Sequence, residues 1–437
     1  MEVAEKIAVT RYPVYKDSSV AWLGDIPTHW EYIRMKHLFR DYSEKNKANE
    51  ELLSVTQNQG VVPRTWVESR MVMPSGNLES FKFINKGDFA ISLRSFEGGL
   101  EYCHHDGIIS PAYTVLKAKR KFDSQFYKYL FKSQAFISEL QTSIVGIREG
   151  KNISFPELSY SFLPIPPINE QTAIAEFLDD RTTKIDQAIA IKQKQIELLK
   201  ERRQIAIHDA VTRGLNPDVR LKDSGVEWIG DIPEHWETKK IKHIYKNSFS
   251  GGTPSTDILK FWDGGISWIS SADVKSSFIT KTLRNISALG LKNSSANIAP
   301  NGSIIIVTRS GILQHTLPIA MVMKDMAINQ DIKCFILRPE MVLTEYFLNF
   351  VQGKNNEILV ETRKQGATVE SIEMSNFANL SIVLPPLNEQ KLIVNYINQY
   401  FSKFNDLINL KHNEIEKLKE FKGSLINSVV TGKVKVV

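Results

Sequence analysis

Two cysteines in 437 residues leave nothing from which to build a disulfide scaffold. Cys103 and Cys334 lie far apart in the chain, a usage expected of a reducing cytoplasm. No apolar run reaches the roughly 18 residues that a membrane-crossing helix needs. The first residues, MEVAEKIAVTRYPVYKD, lack an apolar core and a small-residue cleavage site, so no secretory leader is expected there. The phosphate-binding string GxxxxGK[ST] is absent, which speaks against ATP binding. So is the Asn/Asp-Pro-Pro-aromatic string of amino-methyltransferases: both Pro-Pro pairs follow aliphatic residues, Ile165 and Leu384. His104-His105 has no second pair at metal-ligand spacing, and no carboxylate–lysine cluster suggests a nuclease centre. The expectation is a chain with no catalytic residue, no metal site and no cofactor of its own. Hydrophobic residues at 42% and charged residues at 24% fit a globular protein, and a net charge of +6 permits a polyanion partner without requiring one.

What the chain does have is itself, twice. Asp17–Phe39 reads DSSVAWLGDIPTHWEYIRMKHLF, and Asp223–Tyr245 reads DSGVEWIGDIPEHWETKKIKHIY, with no gap. Pro166–Gln171 (PPINEQ) recurs as Pro385–Gln390 (PPLNEQ). After each opening motif come strand-like runs: Phe89–Leu93 and Tyr113–Leu116, then Ser303–Thr308 and Ile332–Leu337. Gly-Asp, Gly-Gly and Asn-Gly pairs separate them. Amphipathic stretches over 124–140 and 344–360 close each domain. Each half therefore reads as a mixed α/β domain.

Each Pro-Pro ends its domain and opens a long Pro-free stretch, to Thr212 and to Thr431. Asn169 and Asn388 are placed to cap these helices, with Glu170 and Glu389 in the first turn. Ile185, Ile189, Lys192, Ile196, Leu199, Arg203, Ala206 and Ala210 alternate four and three residues apart. Phe404, Ile408, Lys411, Ile415, Leu418, Lys422, Leu425 and Val429 repeat the pattern, basic positions included. A sustained 3.5-residue period asks for a coiled-coil partner, and polar seam residues fix its register. The economical partner of each helix is the other. At about 1.5 Å per residue such a helix is about 65 Å long. Two helices separated by a whole domain can pair antiparallel with a domain at each end. The expected architecture is two mixed α/β domains, 1–165 and 216–384, alternating with helices in 166–215 and 385–437. The helices form an antiparallel coiled coil, with internal pseudo-twofold symmetry.

This order of motifs resembles the specificity subunit of type I restriction–modification systems, over nearly the whole chain. The marks are WxGxIPxHWE (Trp22–Glu31, Trp228–Glu237), the PPxxEQ helix starts, and the LKE…VT helix ends (Leu199–Thr212, Leu418–Thr431). The first domain adds LLSVT…GVV and KGDF…GIISPAY; the second adds SGGTPS…W, ISWIS and INQD. The resemblance implies that each domain reads one half of an asymmetric bipartite site on double-stranded DNA. It implies that the helices set the gap and dock two adenine-methyltransferase subunits, and through them motor–nuclease subunits. S-adenosylmethionine, ATP and Mg²⁺ would belong to those partners, in the cytoplasm.

Reading bases needs Arg for guanine and Asn or Gln for adenine; phosphates take Lys, Arg, Ser or Thr. Loops after buried strands carry such groups. These are Arg94, Ser95 and Glu97 in the first domain, and Thr308, Arg309, Ser310 and Gln314 in the second. Asn329, Gln330, Ser255 and Lys275 are further candidates. Arg94 and Arg309 follow equivalent strands. Arg148 and Lys151, in GIREGKNIS, are candidates for phosphate contact or part of a structural link into the helix. A fused catalytic enzyme and a pure coiled-coil scaffold are the competing readings; the missing catalytic strings weigh against the first, the two loop-rich domains against the second.

Overall fold

A computed structural model of the chain describes residues 10–67, 78–145, 152–364, 366 and 368–436. It resolves into two compact units, one of residues 1–193 with 412–437 and the other of residues 194–411. The division therefore runs through both long helices, not along the linear boundaries read from the sequence. Each unit holds one globular domain, part of the helix that follows it and part of the other helix.

In the first unit, the strand Glu31–Arg34 of the opening motif pairs antiparallel with Phe162–Ile165, the strand that runs into the Pro-Pro. A four-stranded sheet follows, in the order Phe39–Tyr42, Thr114–Ala118, Phe89–Ile91, Glu101–Tyr102. Its core is aromatic: Trp30, Phe39, Phe89, Phe126, Tyr127, Phe131 and Phe136 are all buried. The closing segment is two helices, Ser124–Leu130 and Gln134–Leu140, because the Ser133 side chain caps the second.

The second unit repeats the frame. Glu237–Lys240 pairs with Ser381–Leu384. Its five-stranded sheet runs Tyr245–Ser250, Ile332–Leu337, Ile304–Val307, Ile319–Val322, Phe278–Ile279. The first four strands occupy the same order as in the first domain, so Phe89–Ile91 and Ile304–Val307 are equivalent. A further four-stranded sheet runs Arg284–Ile286, Trp262–Ile269, Met326–Ile328, Asn297–Ala299. SGGTPS, ISWIS and INQD meet there. In the first domain the place of this sheet is held by two strand pairs, Gly60–Pro63 with Leu53–Thr56 and Gly107–Ile109 with Lys82–Ile84, joined by a parallel Leu52–Ile108 bridge. A Cβ on Gly251 would lie 1.8 Å from the Ile328 carbonyl oxygen, so only glycine permits that approach.

The long helices span Ile168–Thr212 and Leu387–Val430. They start directly after the Pro-Pro, two residues earlier than caps at Asn169 and Asn388 imply. The Glu170 and Gln171 amides donate to the Pro167 carbonyl, and the Glu389 and Gln390 amides to that of Pro386. Asn169 and Asn388 thus sit inside the first turn and do not cap it.

The helices pair antiparallel. In the first unit Lys422 meets Asp186 and Lys192 meets Glu414, each at 2.7 Å. In the second, Arg203 donates to Asn405 at 3.2 Å. Partner numbers fall on one helix as they rise on the other. In the first unit Ile185, Ile415, Leu425 and Val429 are buried, with Ile189, Lys192 and Leu418 half-buried. In the second, Ile196, Phe404 and Ile408 are buried, with Leu199 and Lys411 half-buried. Lys192, Lys422 and Arg203 thus end on carboxylates and an amide of the facing helix, pairings that favour one register.

Candidate nucleic-acid interface

The duplicated motifs prove to be parts of one joint. Glu170 accepts from the Tyr12 hydroxyl and pairs with His29 at 2.9 Å. Glu389 pairs with His235 at 2.7 Å and accepts the Trp236 indole N–H at 2.9 Å. In the first unit Tyr12 takes the place of the indole, and the Trp30 Nε1 has no hydrogen-bond partner among the described residues. The neighbouring glutamines are buried and tie helix to domain. Gln171 donates to the Pro166 carbonyl at 2.8 Å and accepts the Asp123 amide at 2.9 Å. Gln390 does the same with Pro385 and Leu343, and also donates to the Met341 carbonyl.

The far ends of the helices dock at the same joint. Thr212 and Thr431 bond back to carbonyls four residues earlier, at 2.7 Å. Gly214 and Gly432 follow with φ of +77° and +74°, the left-handed helix ending that glycine supplies. Gly214 lies against Trp236, and Gly432 against Pro27 and Trp30. In each unit the opening motif thus holds the start of one long helix and the end of the other.

With this frame shared, the loops differ. In the first domain Arg94 and Glu97 are exposed. Ser95 is not a contact residue: it is fully buried, and its hydroxyl accepts the Ser92 amide at 2.8 Å, fixing the bend. Gln57, in the Leu53–Pro63 hairpin, donates to the Arg94 carbonyl at 3.2 Å. Lys132 pins the two loops together. Its ammonium donates to the Gln57 carbonyl, the Gly98 carbonyl and Glu101, at 3.1, 2.9 and 2.7 Å. Glu101 is buried, and burial pushes its carboxyl up to about 7 against the pull of Lys132. Arg148 and Lys151 lie outside the described residues.

In the second domain Arg309 and Gln330 are exposed and Thr308 is half-buried. The Thr308 amide and hydroxyl both donate to the Asp331 carbonyl, and the Thr253 hydroxyl donates to Gln330 at 2.7 Å. Loops 253–255, 308–310 and 329–331 are therefore brought together, with Ser255 exposed on the first. Asn329 is a correction: it is buried and bonded to Asp331 on both sides of its amide, so its side chain is turned inward and holds the loop. A bidentate Arg363–Glu370 pair backs this cluster, and the Glu370 carbonyl accepts the Ser310 amide. The guanidinium holds the Glu370 carboxyl below its usual value, with a further hydrogen bond from Gln314. Lys275 lines a cleft of about 650 Å³ that Ser310 also lines.

The sequence reading missed Gln57, Lys132–Glu101 and Arg363–Glu370. The amide run Gln57-Asn58-Gln59 is visible in the sequence; the two ion pairs join residues with no local pattern. Chemically these loops offer guanidinium, amide and hydroxyl groups suited to base edges and phosphates. No group of three or more His, Cys, Asp or Glu could hold a metal ion among the described residues. Burial pushes the Cys103 and Cys334 thiols up to about 12 and 11. No helix among the described residues is long and apolar enough to cross a membrane.

Residues 29–201 and 233–417 match the family model of the type I restriction modification DNA specificity domain. The chain is similar to the type I restriction enzyme MjaVIII specificity subunit of Methanocaldococcus jannaschii, at 24% identity over 94% of each chain. It is 30% identical over 199 residues to the EcoR124I/EcoR124II specificity subunit of Escherichia coli, a match spanning 45% of this chain and 46% of that one. Among solved structures, a chain of a type I R-M system studied for complex assembly aligns with a TM-score of 0.69 at 15% identity, over 93% of this chain and 98% of that one. The HsdS subunit from Thermoanaerobacter tengcongensis aligns with a TM-score of 0.52 at 16% identity, over 94% and 98%. The chain belongs to the type I restriction–modification DNA specificity family.

Proposed function

We propose that each globular domain reads one half of an asymmetric bipartite DNA site, and that the paired helices set the gap between the halves. In this reading the helices dock two adenine-methyltransferase subunits, with motor–nuclease subunits attached through them. S-adenosylmethionine, ATP and Mg²⁺ serve those partners, and this chain supplies address, not chemistry. The observation that carries the reading is the division inside each copy. The joint of opening motif, glutamate and glutamine is kept in both domains, while the loops carrying Arg94 and Arg309 differ. Two equal frames with unequal loops suit two unequal half-sites. Docking is supported by exposed apolar groups on the helices of the second unit, Leu392, Tyr396 and Ile205 among them.

The test is selection from a random duplex library by the chain copurified with its methyltransferase, at physiological salt. A two-part motif with a fixed gap is expected. A single contiguous motif means that one domain is silent or that both act at one locus, which overturns the bipartite site, and no enrichment returns the chain to a scaffold.

A further inference from the structure

We propose that the turn Gln57-Asn58-Gln59, held beside Arg94, reads adenine-bearing positions of the first domain's half-site. The proposal rests on the DNA-specificity reading above and names which residues carry it.

Strands Leu53–Thr56 and Gly60–Pro63 pair with Thr56 opposite Gly60, which leaves these three residues as the connecting loop. The Thr56 hydroxyl donates to the Gly60 carbonyl at 2.9 Å and accepts the Gln59 amide at 3.1 Å, so the tip is fixed from within. It is fixed from without by Lys132 on the Gln57 carbonyl and by the Gln57 side chain on the Arg94 carbonyl. The same lysine holds the Gly98 carbonyl, at the end of the Arg94 loop. Turn and Arg94 loop are therefore one assembly, tied through a cation that is itself ion-paired to buried Glu101.

Asn58 and Gln59 are exposed at the tip, and their side-chain amides make no hydrogen bond among the described residues. An ordered backbone presenting free amides lowers the cost of ordering on binding. An amide side chain offers one donor and one acceptor at the spacing of adenine N6 and N7 in the major groove. Arg94, beside it, offers the fork that fits guanine. By strand pairing, the counterpart of this hairpin in the second domain is Trp262–Ile269 with Arg284–Ile286, whose connection over 270–283 is much longer than the three-residue amide turn. The device is thus peculiar to one half-site.

Amides also bind phosphates, and the test separates the two uses. Random-duplex selection is run with the wild-type complex and with an Asn58→Ala/Gln59→Ala complex, at one salt concentration. The wild type is expected to yield a two-part motif. The variant is expected to lose about tenfold or more of its preference at one or two A·T positions of one half. The other half keeps its preference, which shows that the variant complex is folded. Uniform weakening over all sequences, an unchanged first half, or loss confined to G·C positions each overturns the proposal and leaves the DNA reading standing. Failure of the wild type to enrich any duplex overturns the DNA reading itself, and this proposal with it.

Discussion

Single residues in this protein are most consequential where helix meets domain. Gln390 is fully buried and joins two carbonyls and one amide. Gln390→Ala strands all three, at a cost of about 1–3 kcal/mol per unpaired group. Lower urea midpoints for this variant than for an exposed Gln→Ala control would show it. Gly432→Ala forces an unfavourable φ and brings a Cβ to 2.5 Å from the Pro27 ring. A loss of about 1–3 kcal/mol is expected, read by thermal unfolding. Glu101 gives a pH signature. Its carboxyl sits at about 7 in the fold against an ordinary 4.5. Between those values the folded chain keeps a proton that the unfolded chain has released, so this group's contribution to stability falls as pH rises through that window and levels off above it. Glu101→Gln removes that part of the slope, measured by urea unfolding at pH 5 and pH 7.5.

At the scale of elements, the long helices are set by a heptad and by what stops it. The Pro-Pro starts each helix, and the left-handed glycine ends it on a tryptophan of the opening motif. Between these stops, Lys192, Lys422 and Arg203 reach Glu414, Asp186 and Asn405 on the facing helix. Removing residues 193–199 together with 408–414 takes one heptad from each helix at facing positions. At about 1.5 Å per residue this shortens the pair by about 10 Å. If the helices set the gap, the two halves of the selected DNA motif approach by about 3 base pairs and their sequences do not change. An unaltered gap would separate the ruler from the helices.

At the scale of the molecule, the central expectation is independence of the two readers. Arg94→Ala should relax one half-site and leave the other, with Arg309→Ala doing the reverse, each by about 1–3 kcal/mol of discrimination. Half-site variants in a methylation assay would show it; equal loss at both halves would count against separate reading. The structure agrees with this separation in one respect. Each compact unit has its own core and its own joint, so a change in one set of loops need not disturb the other.

The sequence alone determined the duplication, the two mixed α/β domains, the long helices to within two residues at each end, and the seam. These are legible because periodicity and proline act locally, and because the chain repeats its own marks. Tertiary structure decided which loop residues face outward. Ser95 and Asn329 look like base readers in the sequence, yet each is turned inward to satisfy backbone or carboxylate groups of its own loop. It also decided what the repeated motifs are for. His29, Glu170 and Gly432 are far apart in sequence, and only folding shows that the glutamate holds the histidine while the glycine seats on Trp30. Contacts across such separations follow from packing, which no local pattern encodes.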